Sequence, residues 1–204
     1  MQQKLSSTFF PFGPPVYVNF MDEKYIEEML SAMKVVEKDP DAYSMRHRLA
    51  GQIEEQYEIF NHVSEACIGH IMQHVNQYSF DFGAPPFEDG EAKIDSLWVN
   101  KQIAGEVNPP HSHDGLMSFV IYLDNPLDRE ECINNRFDNA RKTESAGHLT
   151  LRYGEMMHLN WNVYSHWPET GHIIIFPAWL QHFVHPHYEE GKTRISVAGN
   201  VQLI

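Results

Sequence analysis

Three histidines and one arginine carry the chemistry open to this sequence. His111 and His113 stand two residues apart in Asn108-Pro109-Pro110-His111-Ser112-His113-Asp114. His182 closes Phe176-Pro177-Ala178-Trp179-Leu180-Gln181-His182, and Arg194 follows it. Residues two apart on an extended strand point to one face. Imidazoles at 111 and 113, joined by a third from a distant strand, are expected to form a three-cornered face around a metal. Such a face leaves positions open for oxygen and a co-substrate, as at a non-haem iron site. Arg194, on the strand expected next, can hold an acid through two parallel charge-assisted hydrogen bonds. Its other reading is an ion pair with Glu189 or Glu190.

Histidine is over-represented, at 13 of 204 residues. His62, His70 and His74 fall in a helical stretch and read as surface or satisfied core residues. His185 and His187 compete with His182, but Pro186 between them marks a strand end.

The candidate ligands need rigid elements to hold them. A length of 204 residues suffices for one domain with a full core, and 42% hydrophobic residues is ordinary for a globular protein. The first part reads as helical. Asp22 is a candidate N-cap for a helix over 23–36, with Ile26, Met29, Leu30 and Met33 at helical spacing. Asp39-Pro40-Asp41 breaks it. Ser64 is a candidate cap for a helix over 64–78, whose buried face would be Ala66, Cys67, Ile68, Ile71, Met72 and Val75. A strand is expected over 12–20.

Beyond residue 90 the pattern changes to strands, over 94–100, 117–123, 149–153, 172–176, 181–185 and 194–203, with no further helix. The apolar runs at 117–123 and 172–176 predict strands covered on both faces. Asn108-Pro109-Pro110 reads as a turn, with the histidine pair opening the next strand. Residues 124–147 are polar and read as a mobile loop with a lid or substrate-contact role. The expected fold is mainly β with N-terminal helices. Its β part is a double-stranded β-helix (a jelly roll, cupin-like) within a single domain over 1–204: a helical buttress at 1–90 and a jelly-roll core at 91–204.

The formal net charge of −13, with a pI near 5.4, disfavours binding to nucleic acid or anionic membrane. No stretch approaches the roughly 18 consecutive apolar residues of a membrane helix, and the N-terminus lacks the apolar run of a signal peptide. Two cysteines, Cys67 and Cys132, are too few for a disulfide framework. A cytoplasmic protein acting on a small molecule or peptide is expected.

Taken together, Trp98-Val99-Asn100, the 108–113 segment, Ser118-Phe119-Val120-Ile121-Tyr122-Leu123, the 176–182 segment and Arg194-Ile195-Ser196-Val197-Ala198-Gly199-Asn200 give the chain a family likeness. It resembles the Fe(II)/2-oxoglutarate-dependent oxygenases, and more narrowly the small oxygenases of phages and bacteria. The resemblance implies Fe(II) at His111, His113 and His182, and Arg194 on the far carboxylate of 2-oxoglutarate. Tyr122 and Ser196 either line the same acid pocket or simply pack. Oxygen would be consumed, 2-oxoglutarate would become succinate and carbon dioxide, and a substrate C–H bond would be hydroxylated. The superfamily usually has His-x-Asp or His-x-Glu, where this chain has His113. Asp114 is out of strand register with His111 and stands as a reserve ligand that a bulge would bring inward. Two other readings share the fold. A cupin-like metalloprotein would use the three histidines without 2-oxoglutarate and would need no arginine in the pocket. A non-catalytic jelly-roll binding protein would need neither.

Overall fold

The computed structural model describes residues 7–9, 13–88, 91–134, 145–159 and 161–204. In chain order the elements are β1 (Ser7–Phe9), β2 (Val16–Phe20), α1 (Glu23–Val36), α2 (Pro40–Tyr43), β3 (Glu55–Glu58), α3 (Glu65–Asp81), β4 (Ala92–Gln102), β5 (Asn108–His111), β6 (Met117–Asp124), α4 (Arg129–Asn134), β7 (Leu149–Arg152), β8 (Val163–His166), β9 (His172–Pro177), β10 (Gln181–Val184) and β11 (Arg194–Leu203). The strands form two sheets. The major sheet has the order β1-β2-β9-β6-β11-β4-β3, and the minor sheet the order β5-β10-β7-β8. All of these pairings are antiparallel.

The continuous apolar runs are explained by what each face of the major sheet meets. In β9, Ile173 and Ile175 join the cluster that holds the helices, while Ile174 and Phe176 join the cluster between the sheets. In β6, Met117, Phe119, Ile121 and Leu123 go to the helix side and Tyr122 to the inter-sheet side. Both faces are buried, so the polar alternation of a half-exposed strand disappears. Each fully buried Ile, Leu or Phe contributes roughly 1.5–3 kcal/mol over its exposed state. The helices cover the outer face through Met29, Ala32 and Met33 of α1 and Cys67, Ile71 and Val75 of α3. Ser64 caps α3 as expected, its hydroxyl accepting from Cys67 N–H at 3.1 Å.

Several expectations need correction. Asp22 sits at the N-cap of α1 but makes no side-chain capping bond. Ala66 is exposed, because α3 buries the stripe of Cys67, Ile71, His74, Val75 and Tyr78 instead. Of the expected strand over 12–20, residue 12 lies outside the described residues, 13–15 are not strand, and the strand runs from Val16. The predicted absence of helix after residue 90 fails at α4, which lies inside the expected loop. That segment is anchored: Leu127, Cys132 and Ala146 form a small buried cluster with Trp167, and Glu189 accepts from Asp128 N–H and from the Cys132 thiol, both at 3.0 Å. Residues 135–144 of the expected loop lie outside the described residues.

Asn108-Pro109-Pro110 is not a turn but the body of β5. It is an edge strand of the minor sheet, the position where two residues lacking an N–H are tolerated. Strands β1, β3 and β8 are additional to those expected. Among the described residues, no helix is long and apolar enough to cross a membrane.

Candidate metal and co-substrate site

The period of two along the major sheet decides what faces the space between the sheets. On β11, Arg194, Ser196 and Ala198 line one cavity; on β4, Gln102, Asn100 and Trp98 do; on β6, Tyr122, Val120 and Ser118 do. The register aligns these rows. Arg194 pairs with Gln102, and Ser196 pairs with Asn100 on one side and Tyr122 on the other. The minor sheet supplies His182 and Val184 from β10 and Asn108 and His111 from β5.

The three sequence-predicted histidines converge. Their candidate ligand nitrogens all lie within 4.8 Å of one another. Ring centroids are 4.2 Å apart for His111 and His182, 4.9 Å for His111 and His113, and 5.1 Å for His113 and His182. The route to convergence differs from the expected one. The strand ends at His111, so His113 does not reach the cluster by strand pleat. Its N–H donates to the Ala178 carbonyl at 2.9 Å, which fastens this loop to the tight turn before β10. Gly115, at φ 114°, then turns the chain into β6, a conformation glycine adopts without Cβ strain. Asp114 is exposed and lies outside the cluster.

The imidazoles suit a divalent cation. His111 Nδ1 lies 2.6 Å from the Pro109 carbonyl and His182 Nδ1 lies 2.9 Å from the Leu180 carbonyl. A carbonyl only accepts, so Nδ1 carries the hydrogen in both rings and Nε2 keeps its lone pair. Burial lowers the pKa of all three. For His111 it acts against its hydrogen bond to Pro109. For His113 burial and then His111 bring the value to about 4, against the pull of Asp114. For His182 burial and then His111 bring it to about 3. Three neutral nitrogen donors at this spacing fit a metal ion. Phe176 packs on His182 with centroids 4.8 Å apart, and Trp98 packs edge-on to His113 at 6.1 Å.

Arg194 is 2% exposed. It donates to the Gly147 carbonyl and to Gln102 Oε1, and its guanidinium carbon lies 5.7 Å from the Tyr122 ring centroid. The alternative ion pair with Glu189 or Glu190 is not found among the described residues, and Glu189 pairs with Lys192 instead. Burial pulls the arginine's pKa down, and Tyr122 and Cys132 oppose it. Among the described residues, neither the buried Tyr122 hydroxyl nor the buried Asn108 Oδ1 has a hydrogen-bond partner. Burial raises the Tyr122 pKa against the opposing effect of Arg194, so its hydroxyl stays protonated and able to donate. A buried cation beside an unanswered donor, in the cavity that holds the histidines, fits an acid.

Gln102 and the Gly147 carbonyl were not anticipated as partners of Arg194. Gln102 carries a readable signal: Trp98, Asn100 and Gln102 repeat at the strand period beside the apolar Leu97 and Val99. The Gly147 contact joins distant segments and leaves no local trace.

Residues 96–200 match the family described as "Putative 2OG-Fe(II) oxygenase". The chain belongs to this family. It is therefore a 2OG-Fe(II) oxygenase by family, an oxidoreductase whose cofactor and co-substrate are Fe(II) and 2-oxoglutarate. No curated protein is significantly similar to it in sequence.

Solved structures similar to this oxygenase agree on the fold. A Pseudomonas putida prolyl-4-hydroxylase superposes with a TM-score of 0.61 at 14% identity, covering 92% of this chain and 91% of that one. The viral collagen prolyl hydroxylase from Paramecium bursaria Chlorella virus-1, solved as its 2OG complex, gives 0.56 at 12% identity, covering 93% and 96%. A Trichoplax adhaerens prolyl hydroxylase, solved with a peptide fragment of the hypoxia inducible factor oxygen degradation domain, gives 0.55 at 13% identity, covering 93% and 83%. At these identities the likeness concerns the double-stranded β-helix fold and not the substrate.

Proposed function

We propose that His111, His113 and His182 hold the Fe(II) of this oxygenase, and that Arg194, with Tyr122 and Ser196, binds the far carboxylate of 2-oxoglutarate. The observation that carries this reading is the buried Tyr122 hydroxyl, without a hydrogen-bond partner among the described residues, on a ring packed by Arg194 in the cavity of the three imidazoles. Leaving such a group unsatisfied costs about 1–3 kcal/mol. An acid held by Arg194 would supply the missing acceptor.

Fe(II), 2-oxoglutarate and oxygen together supply the oxidising chemistry, in which one oxygen atom enters a substrate C–H bond and the co-substrate leaves as succinate and carbon dioxide. The residues bind, orient and shield. The Nδ1 contacts of His111 and His182 fix ring orientation, as partners of metal-bound imidazoles do. Gln102 and the Gly147 carbonyl hold the guanidinium, leaving the rest of its fork for the acid. Phe176 packs on the buried His182 and shields it from water.

In this reading the whole chain, 1–204, works as one domain. Its support is that the sheet lining the site is backed on its other face by α1 and α3. The substrate is a small molecule or a peptide, and the compartment is the cytoplasm. Free thiols at Cys67 and Cys132 accord with a reducing environment.

Anaerobic titration of the Fe(II)-loaded protein with 2-oxoglutarate tests the site. The visible metal-to-ligand charge-transfer band should grow with 2-oxoglutarate in the wild type. Arg194→Ala should need much more co-substrate to reach the same signal. Equal succinate formation by wild type and Arg194→Ala at limiting 2-oxoglutarate would overturn the assignment.

A further inference from the structure

The imidazole cluster borders a second cavity. It has a volume of about 270 Å³ and shares Trp98, His111 and His113 with the first. The strand register separates the two. Along one face of β11 the first cavity takes Arg194, Ser196 and Ala198, and the second takes Asn200. The second cavity is therefore the approach to the metal face from the end remote from Arg194, which is where the oxidised C–H bond must enter if the proposed site is right.

The lining of this cavity is selective. Its one ionisable side chain apart from the histidines is Arg48. Acidic residues outnumber Lys and Arg by 28 to 15 in the chain, yet among the described residues neither cavity is lined by an Asp or a Glu. The neighbouring Arg46 is answered by Glu54 at 3.5 Å. Arg48 is not answered: its Nε meets His47 Nε2 at 3.3 Å, and among the described residues no carboxylate pairs with it. Asn200 adds a donor. Its Oδ1 accepts the Ser118 hydroxyl at 2.7 Å, so the side-chain NH₂ is what it has left to offer. Leu49 and Trp98 supply apolar wall. A cation without a carboxylate partner and an amide donor above an apolar floor, with no acid among the described lining residues, match an anion carried on an apolar body.

We infer that the substrate oxidised by this enzyme is a small organic carboxylate, whose acid group is received by Arg48 and Asn200 and whose apolar part lies against Leu49 and Trp98. This rests on the site proposed above and adds the class of molecule it acts on.

The test uses the anaerobic Fe(II) holoprotein with saturating 2-oxoglutarate, so that Arg194 is already occupied and a probe acid cannot report from there. Matched acids and amides are titrated by calorimetry: hexanoate against hexanamide, and N-acetylleucine against N-acetylleucinamide. The acid of each pair should bind about tenfold more tightly than its amide. The preference should vanish in Arg48→Gln and persist in Arg46→Gln, which removes another exposed charge outside the cavity. Arg48 is exposed, so its replacement does not threaten the fold. Acids and amides that bind alike or not at all, or an acid preference that survives Arg48→Gln, would overturn the inference. The 2-oxoglutarate titration that precedes the probes separates the two failures. No 2-oxoglutarate binding by the wild type sinks the proposed site and this inference with it, whereas normal 2-oxoglutarate binding without acid preference sinks the substrate class alone.

Discussion

His111 and His182 are cross-strand partners. They sit directly opposite in the β5–β10 pair, with ring centroids 4.2 Å apart. Each presents its Nδ1 to a carbonyl of its own strand or turn, Pro109 for one and Leu180 for the other. Sheet pairing fixes the separation of the two rings, and the carbonyls fix their tautomers. Two of the three proposed ligands are thus set before any metal arrives. The third, His113, depends on a loop fastened at Ala178.

Replacing His111 or His182 with Ala should weaken Fe(II) binding by about 100-fold or more, since loss of even an outer partner of a metal-bound imidazole costs about 10–100-fold. Competition with a metal-responsive chelator under anaerobic conditions measures it. His113→Asp should retain Fe(II), because a short carboxylate at that position restores the two-imidazole, one-carboxylate set. Asp114→Asn should leave the affinity unchanged, since Asp114 is exposed and outside the cluster. A large loss on Asp114→Asn would return that carboxylate to the ligand set.

Arg194→Ala should weaken 2-oxoglutarate binding by tens- to thousands-fold, the equivalent of about 2–5 kcal/mol for truncating a buried charged partner. Arg194→Lys should recover only part of this, because an ammonium lacks the planar fork. Circular dichroism should accompany the titration, since removing the guanidinium also orphans Gln102 Oε1 and the Gly147 carbonyl. A folded Ala variant with wild-type affinity for 2-oxoglutarate would refute the role.

Stability should fall as pH drops from about 6.5 towards 4. His74 is buried against Tyr17, with its Nδ1 2.9 Å from the phenol oxygen. Burial, then the neighbouring His70, lowers its pKa from 6.5 to about 4. Between those values the unfolded chain binds a proton that the folded one refuses. The stability is therefore fully present above the unfolded pKa and is lost as pH falls through the folded one, by at most about 3 kcal/mol from this residue. Denaturant unfolding between pH 4 and 7 should show a shallower dependence in His74→Gln, which cannot titrate. An identical slope in the variant would assign the acid sensitivity elsewhere.

Gly199→Ala should destabilise the sheet by about 1–3 kcal/mol, the usual cost of overpacking. A Cβ there would come within 2.4 Å of Phe119 Cζ and 2.6 Å of the Ser96 carbonyl. The phenyl ring can shift, but the carbonyl belongs to the paired strand β4 and cannot yield without breaking register. A thermal midpoint equal to that of the wild type would show that the two strands separate more easily than their pairing implies.

The sequence by itself determined the classes of residue and the strands that carry them. Apolar runs at 117–123 and 172–176 announced strands buried on both faces, since only full burial removes the polar alternation. Ser64 announced the start of α3 through its capping chemistry. Spacing and surrounding motif singled out His111, His113, His182 and Arg194, because metal ligation and acid binding demand those side-chain types whatever the backbone does. The tertiary structure decided the rest. Local pattern read Asn108-Pro109-Pro110 as a turn, since proline breaks most strands; only an edge position beside β10 makes it a strand. His113 joins the cluster through a loop held by Ala178, a long-range contact that periodicity does not encode. Arg194 gains its depth from Gln102 and Gly147, and α4 its anchorage from Glu189. Arg48 shares a cavity with His111 and His113 only because the segment after α2 returns to them. Each of these is a meeting between segments far apart in the chain, and no period of two or of 3.6 records which segments will meet.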